Sequence, residues 1–271
     1  VDKNKKEVII KKILEHCSIL EEVLNNELLI EFGKLRNIKT KYNRFSAKQE
    51  VIAQRGFFLD VKKKYALWII NNEGVDTEEF DIKGLITKRS DYPTLTKEKI
   101  MDIISFLVKD DVVSFKKIKK HIDEQDNNIR SLCIKGDKSI ARPVSFSKPL
   151  KEYKRVPSHV EGMLLWNKLE YDYFVPGTKG YQFKIIGIDP VISTGRVQSS
   201  LPYINFKKNN NVVLPYEADR LPKYYNIDVE SMIQFAWVNR YKELLHPIWD
   251  RLQSSGKNKS GRSMAQFAFQ F

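Results

Sequence analysis

The sequence predicts an α+β fold, with a long helix and an antiparallel hairpin first and a mainly helical region with a small β portion after them. Three observations predict it. Apolar residues at Ile10, Ile13, Leu14, Cys17, Leu20, Val23, Leu24, Leu28 and Phe32 recur at helical spacing across 8–35. Two apolar runs, 65–70 and 80–85, flank the turn-forming Asn71-Asn72-Glu73-Gly74. After residue 96 the helical period returns and dominates.

The first helix spans 8–35 as one piece or as two joined near Asn25-Asn26. Lys62-Lys63-Lys64 stand at the start of the first strand. Alternation along a strand would put Lys63 and Tyr65 on one face, with Lys62 and Lys64 on the other. A cation and a phenol side by side on a rigid element suit a nucleic-acid groove; a solvated lysine cluster ahead of a core strand fits the same residues. Thr96 caps a helix holding Ile100, Ile103, Ile104 and Leu107. A second helix covers 114–121, and 123–155 reads as loops with one short strand at 131–134. A helix with Val160, Met163, Leu164 and Leu165 precedes a strand at 181–188. The stretch 190–223 reads as irregular from its proline and asparagine content. The last helix covers 229–252, kinked at Pro247. A Gly/Ser/Lys linker over 254–262 then carries Met264, Phe267, Phe269 and Phe271, aromatics that suit a partner's groove or the protein's own body.

The chain has 271 residues, 42% of them apolar, enough for a sizeable core in one large domain or two smaller ones. Its 47 basic and 34 acidic residues give a net charge of +13. Such an excess favours a polyanionic partner, although lysine-rich coding sequence produces the same bias without any function. Two cysteines, Cys17 and Cys133, exclude a disulfide framework and a four-thiolate zinc site, and fit a reducing compartment. Neither a signal-peptide pattern nor an apolar run of membrane-spanning length is present, so a soluble intracellular protein is expected.

Signals for a complete enzyme are missing. Pro176-Gly177-Thr178-Lys179-Gly180 is too short for a Walker-type phosphate loop. His16, His121, His159 and His246 do not fall at metal-ligand intervals, and no metal-ligand residues are assigned. No Asp-x-Asp pair of the kind that holds two catalytic ions occurs.

Several segments, taken in order, carry a resemblance. Lys48-Gln49-Glu50-Val51-Ile52-Ala53 is followed by Lys62-Lys63-Lys64-Tyr65, by Ile82-Lys83-Gly84-Leu85, and by Arg89-Ser90-Asp91-Tyr92-Pro93. Val156 to Asn167, Leu214-Pro215, the helix after Ile227 and the terminal Phe269-Gln270-Phe271 complete the series. Together they resemble the C-terminal part of a family B DNA polymerase, the end of the palm plus the thumb, closest to the replicative enzymes of T-even bacteriophages. Lys64 stands where that family has arginine, and the aromatic spacing of the tail differs from the family's.

The resemblance implies a palm portion over 1–87, a thumb over 88–252 and a flexible clamp-binding tail over 253–271. It implies DNA contacts by Lys62, Lys63, Lys64 and Tyr65, with Lys88, Arg89, Asn167 and Lys168 on duplex phosphates. Glu50 would lie near two magnesium ions without necessarily binding them; a plain surface carboxylate is the alternative. Met264, Phe267, Phe269 and Phe271 would engage a sliding clamp. The exonuclease, the fingers and the paired palm aspartates would lie upstream of Val1, which points to the C-terminal subunit of a split polymerase, with a cleavage product of a longer polymerase as the alternative; either would be inactive alone and work in the cytoplasm of a host cell. The upstream part would dock on the first helix and palm strand, which should expose an apolar face in isolation. A non-catalytic DNA- and clamp-binding accessory protein is the competing reading.

Overall fold

The computed structural model describes residues 3–110, 112–189 and 204–254, and in them the chain is a mixture of helices and antiparallel sheet. The first helix is continuous rather than broken. Helix α1 (Lys3–Val23) passes through a π turn at Leu24–Leu28 into α2 (Leu29–Leu35). The π turn holds the Asn25-Asn26 pair that marked a joint. Asn25 makes a two-way bond with residue 47, its amide donating to the Ala47 carbonyl at 2.9 Å and its oxygen accepting from Ala47 N at 2.7 Å. One turn earlier, Glu21 accepts from the Gln49 amide. These bonds seat the segment that leads into the first strand.

That strand, β1 (Val51–Phe58), was not expected from the pattern of its residues. It pairs antiparallel with β2 (Tyr65–Asn72), which pairs with β3 (Val75–Lys83), giving the order β1-β2-β3. The β2–β3 turn is tighter than the sequence suggested: Asn72 opposes Val75, and Glu73 and Gly74 both have positive φ, 49° and 86°. Two such residues match the right-handed twist of a hairpin, and Gly74 N is held by the Asn71 side chain at 3.0 Å.

Ala66, Trp68 and Ile70 of β2 and Ile82 of β3 are buried in one core with Ile100, Ile103, Ile104 and Leu107 of α3 (Thr94–Val108), which packs on β1 and β2. Thr96 does not cap this helix. Pro93 occupies the N-cap position, and the buried Thr96 hydroxyl donates 2.6 Å to the Ala236 carbonyl of the last helical segment. Helix α4 (Phe115–Ile134) is capped by Ser114 and runs far beyond residue 121, so the strand expected at 131–134 is helical. Ile118, Ile122, Ile129 and Cys133 form its buried stripe, while Asp123 to Asn128 between them supply the polarity that reads as loop.

The second sheet joins β4 (Arg142–Ser145), β5 (Lys179–Ile188), β6 (Ile204–Pro215) and β7 (Tyr225–Ile227), all antiparallel, with β4, β6 and β7 each bonded to β5. Strand β6 corrects the irregular reading of 190–223 over 204–215, most of its described part. The polar stretch 207–211 carries no strand pattern; Asn210 and Asn211 pair with Ile185 and Lys184 of β5, and after an irregularity pairing resumes at Asn205. Helix α5 (Ser158–Leu169) packs on β6. The last helical segment comprises α6 (Val229–Ile233), a π turn at Gln234–Val238, α7 (Asn239–Leu245), a 3-10 turn at His246–Ile248 and α8 (Trp249–Ser254). Pro247 sits in the 3-10 turn, where the kink was expected. Buried side chains from Ile10 to Leu252 form one contiguous core on both sides of residue 88.

Candidate nucleic-acid interface

The lysine run does not start a strand. Residues 59–64 are the connection between β1 and β2, and Lys63 takes a left-handed φ of 62°. The alternation argument therefore fails for Lys62, Lys63 and Lys64. The connection is instead a fixed turn, closed by Leu59 N to Lys64 O at 3.1 Å and Lys64 N to Val61 O at 3.3 Å. Gly84 backs it. A Cβ there would lie 2.4 Å from the Lys63 carbonyl oxygen, and Gly84 itself has φ of 67°. The closeness of the 82–85 and 62–65 segments, invisible in either alone, is thus a backbone contact that only glycine permits.

Lys62 and Lys63 are exposed and have no ion-pair partner among the described residues. Lys64 differs: its ammonium reaches 3.0 Å from Glu243 Oε1 on α7. The cation beside Tyr65 is not Lys63 but Lys83, its register partner on β3, whose ammonium lies 5.6 Å from the ring centroid. Phe58, opposite Tyr65 on β1, flanks the ring on the other side at 5.9 Å. The Tyr65 hydroxyl donates to Asp81 at 3.1 Å. Hydrogen bonding with Tyr65, then the charges of Asp81 and Tyr65 and least that of Glu50, raise the Lys83 pKa above the ordinary lysine value, so this ammonium stays charged.

Glu50 is exposed and precedes β1, its carbonyl accepting from Glu73 N at 2.7 Å. Its backbone lies at the end of β2 opposite Tyr65, yet its charge still acts at Lys83.

The four thumb positions separate into two kinds. Lys88, at the end of the 3-10 turn Ile86–Lys88, and Lys168, in the last turn of α5, are exposed and have no ion-pair partner among the described residues. Arg89 is engaged internally, with bidentate bonds of 2.9 and 2.8 Å to Asp91 and its guanidinium 4.9 Å from the Tyr92 centroid. Asn167 is engaged too: it donates to the Phe174 carbonyl at 2.8 Å and accepts from Tyr173 N and Phe174 N at 3.2 and 2.9 Å. A DNA contact by Asn167 would break this turn. Met264, Phe267, Phe269 and Phe271 lie outside the described residues.

Sequence reading missed Arg240 and Glu243. Arg240 donates from Nε to the Phe235 carbonyl at 3.0 Å and from a terminal nitrogen to the Tyr92 hydroxyl at 3.3 Å. Its guanidinium lies 5.0 Å from the Tyr92 centroid, so Tyr92 has Arg89 and Arg240 as cation neighbours. Helical spacing shows that Arg240 and Glu243 share a face; nothing in the chain shows that their partners lie at Lys64 and Tyr92.

The Arg89 bonds hold the Asp91 carboxyl below its ordinary pKa, with Arg142, 3.6 Å away, adding to the effect. A depressed carboxylate contributes stability above its unfolded pKa, and that contribution is lost as pH falls through the folded value. The expected result is a Tm that drops below about pH 4, with Asp91→Asn flattening part of the drop in scans across pH 2–6.

No helix among the described residues is long and apolar enough to cross a membrane. No protein-family model matches the sequence, and no curated protein matches it. Among solved structures, the chain is similar to the family B DNA polymerase of the hyperthermophilic archaeon Pyrobaculum calidifontis, at 18% identity and a TM-score of 0.45. That match covers 82% of this chain and 24% of that one, so the chain spans about a quarter of the polymerase's length. A likeness so distant assigns no function.

Proposed function

We propose that the chain is the end of the palm and the thumb of a family B DNA polymerase of the T-even type, and that it grips primer–template duplex beside the site of nucleotidyl transfer. The observation that carries this reading is the lysine turn: two exposed ammonium groups, Lys62 and Lys63, held on a glycine-backed turn at the end of a sheet in a chain of net charge +13. The collinear order of the quoted motifs supports it.

Minor-groove acceptors, purine N3 and pyrimidine O2, recur in every correct base pair. Lysines reaching them test the geometry of the primer end without reading sequence, and a mismatch that moves the acceptors weakens the hold. Tyr65, with its hydroxyl on Asp81 and its ring between Phe58 and Lys83, is held in place at the sheet end where the lysine turn enters β2. Lys88 and Lys168 add phosphate contacts that set position rather than specificity.

Two-metal transfer needs carboxylates to hold magnesium and a positioned primer hydroxyl. Among the described residues no group of three or more His, Cys, Asp or Glu is arranged to hold a metal ion, so the residues here do not fit the ion pair. We assign both ions to an upstream polymerase part carrying the exonuclease, the fingers and the rest of the palm, with Glu50 adding negative charge nearby. The docking face for that part is the first helix, where Ile19 and Leu35 remain 61% and 81% exposed beside Leu20, Leu28 and Phe32. The tail with Met264, Phe267, Phe269 and Phe271 is proposed to tether a sliding clamp, raising the effective concentration of DNA at the site.

Primer extension with magnesium and nucleotides tests this reading. No synthesis is expected from the chain alone, and synthesis is expected when the upstream polymerase part is added. Duplex binding without synthesis in either tube would favour a non-catalytic DNA- and clamp-binding accessory protein.

A further inference from the structure

The three adjacent lysines do not have equivalent surroundings. Lys62 and Lys63 project from the turn without ion-pair partners among the described residues. Lys64 points across to α7, where Glu243 takes it with one carboxylate oxygen at 3.0 Å and holds Arg240 with the other at 3.6 Å. Arg240 is fixed in turn by the Phe235 carbonyl, the Tyr92 hydroxyl and the faces of both rings. Tyr92 carries Arg89 as a second cation neighbour, and Arg89 is locked to Asp91. A connected series of ion pairs and ring contacts thus links the lysine turn, the last helical segment and the segment that crosses from the first sheet to α3.

We infer that Lys64 is a positioning residue rather than a third DNA contact: through Glu243 it fixes the lysine turn against the last helical segment and leaves Lys62 and Lys63 to face nucleic acid. This deepens the proposed duplex-gripping function and rests on it.

Two features of the site decide between this role and direct DNA contact. The backbone of the turn is already set by its own hydrogen bonds and by Gly84, so Glu243 is not needed to shape it. What Glu243 controls is where the Lys64 ammonium goes. Moving that ammonium to a phosphate would leave the Glu243 carboxylate with Arg240 alone, and would release the tie between a turn and a helix 179 residues apart in sequence. A guanidinium at position 64 would keep the same link, since it offers more donors to the same carboxylate.

Duplex affinity measured by fluorescence anisotropy over a range of salt concentrations separates the roles. A lysine whose ammonium enters the groove displaces about one condensed counterion, as a phosphate contact does, and so contributes about one unit to the slope of log K against log salt. Lys62→Ala and Lys63→Ala are each expected to lower the slope by about one. Lys64→Ala is expected to leave the slope unchanged while lowering affinity by a uniform factor of about two to five, the size of a modest orienting interaction. Lys64→Arg should restore affinity, and Lys64→Glu combined with Glu243→Lys should recover more than either change alone. Glu243→Gln should have no further effect once Lys64 is alanine. A slope lowered by one in Lys64→Ala, with Glu243→Gln raising affinity, would overturn the inference and make Lys64 a phosphate contact restrained by Glu243.

A wild-type chain that binds no duplex would instead end the proposed function, and the link is then judged by thermal unfolding. Tm changes at 64 and 243 that fail to add by about 2 °C, while those at 62 and 243 add, would support the positioning link; full additivity at 64 and 243 would overturn it.

Discussion

Gly84→Ala is expected to lower Tm by about 5–10 °C and to weaken duplex binding at the same time. Two costs combine. The φ of 67° places Gly84 in the left-handed region, where a Cβ costs about 1–2 kcal/mol. The added methyl would also meet the Lys63 carbonyl oxygen at 2.4 Å, an atom of backbone that cannot rotate away. Relief requires the lysine turn to shift, and the loss should total about 2–4 kcal/mol. Gly74→Ala is the matched control. Its φ of 86° carries the first cost, but a Cβ there has no atom within 4 Å. That variant should lose only about 2–4 °C and bind duplex normally. Calorimetry and anisotropy on both variants check the pair; equal Tm losses would show that the Lys63 contact does not hold the turn.

The double variant Lys62→Ala with Lys63→Ala should bind duplex about 30-fold more weakly at roughly 0.15 M salt. Each ammonium lost from the groove removes a dependence of about the 0.9 power of salt concentration, which near 0.15 M amounts to about five- to sixfold per lysine. The deficit should shrink toward none near 1 M, because counterion release then contributes little. Folding should be untouched, since both side chains are exposed and the turn is built from backbone contacts with Gly84. In primer extension with the upstream part, the defect should be greatest on matched primer ends, where the minor-groove acceptors are in register, and smallest on mismatched ones. An unchanged salt slope would remove the lysine turn from the interface.

Much of the first half of the fold could be read along the chain. Apolar spacing at Ile10, Leu14, Cys17 and Leu24 belongs to any helix that buries one stripe, and the Asn-Asn-Glu-Gly turn announces its own hairpin. What misled was local polarity with a non-local cause. Asp123 to Asn128 looks like loop because its polar face is solvated, yet Ile118, Ile122, Ile129 and Cys133 carry α4 beneath it. Asn210 and Asn211 look irregular, yet they pair with Ile185 and Lys184 in the β5 ladder, which no pattern in their own segment announces. Thr96 reads as a cap because only the distant Ala236 carbonyl reveals its buried bond.

The candidate site divides the same way. Residue types and their order along the chain, set by the sequence alone, supply the excess charge, the lysine run, the aromatic neighbour and the glycine after Lys83. Which lysines face outward, which cation stands beside Tyr65 and which carboxylate holds Lys64 were decided only by the tertiary structure. Periodicity reports how a segment divides between core and water, because that division repeats every turn or every second residue. It carries no signal for a single contact such as Lys64 with Glu243, which exists because the packing of a sheet turn against a helix brings two residues 179 apart in sequence to 3.0 Å.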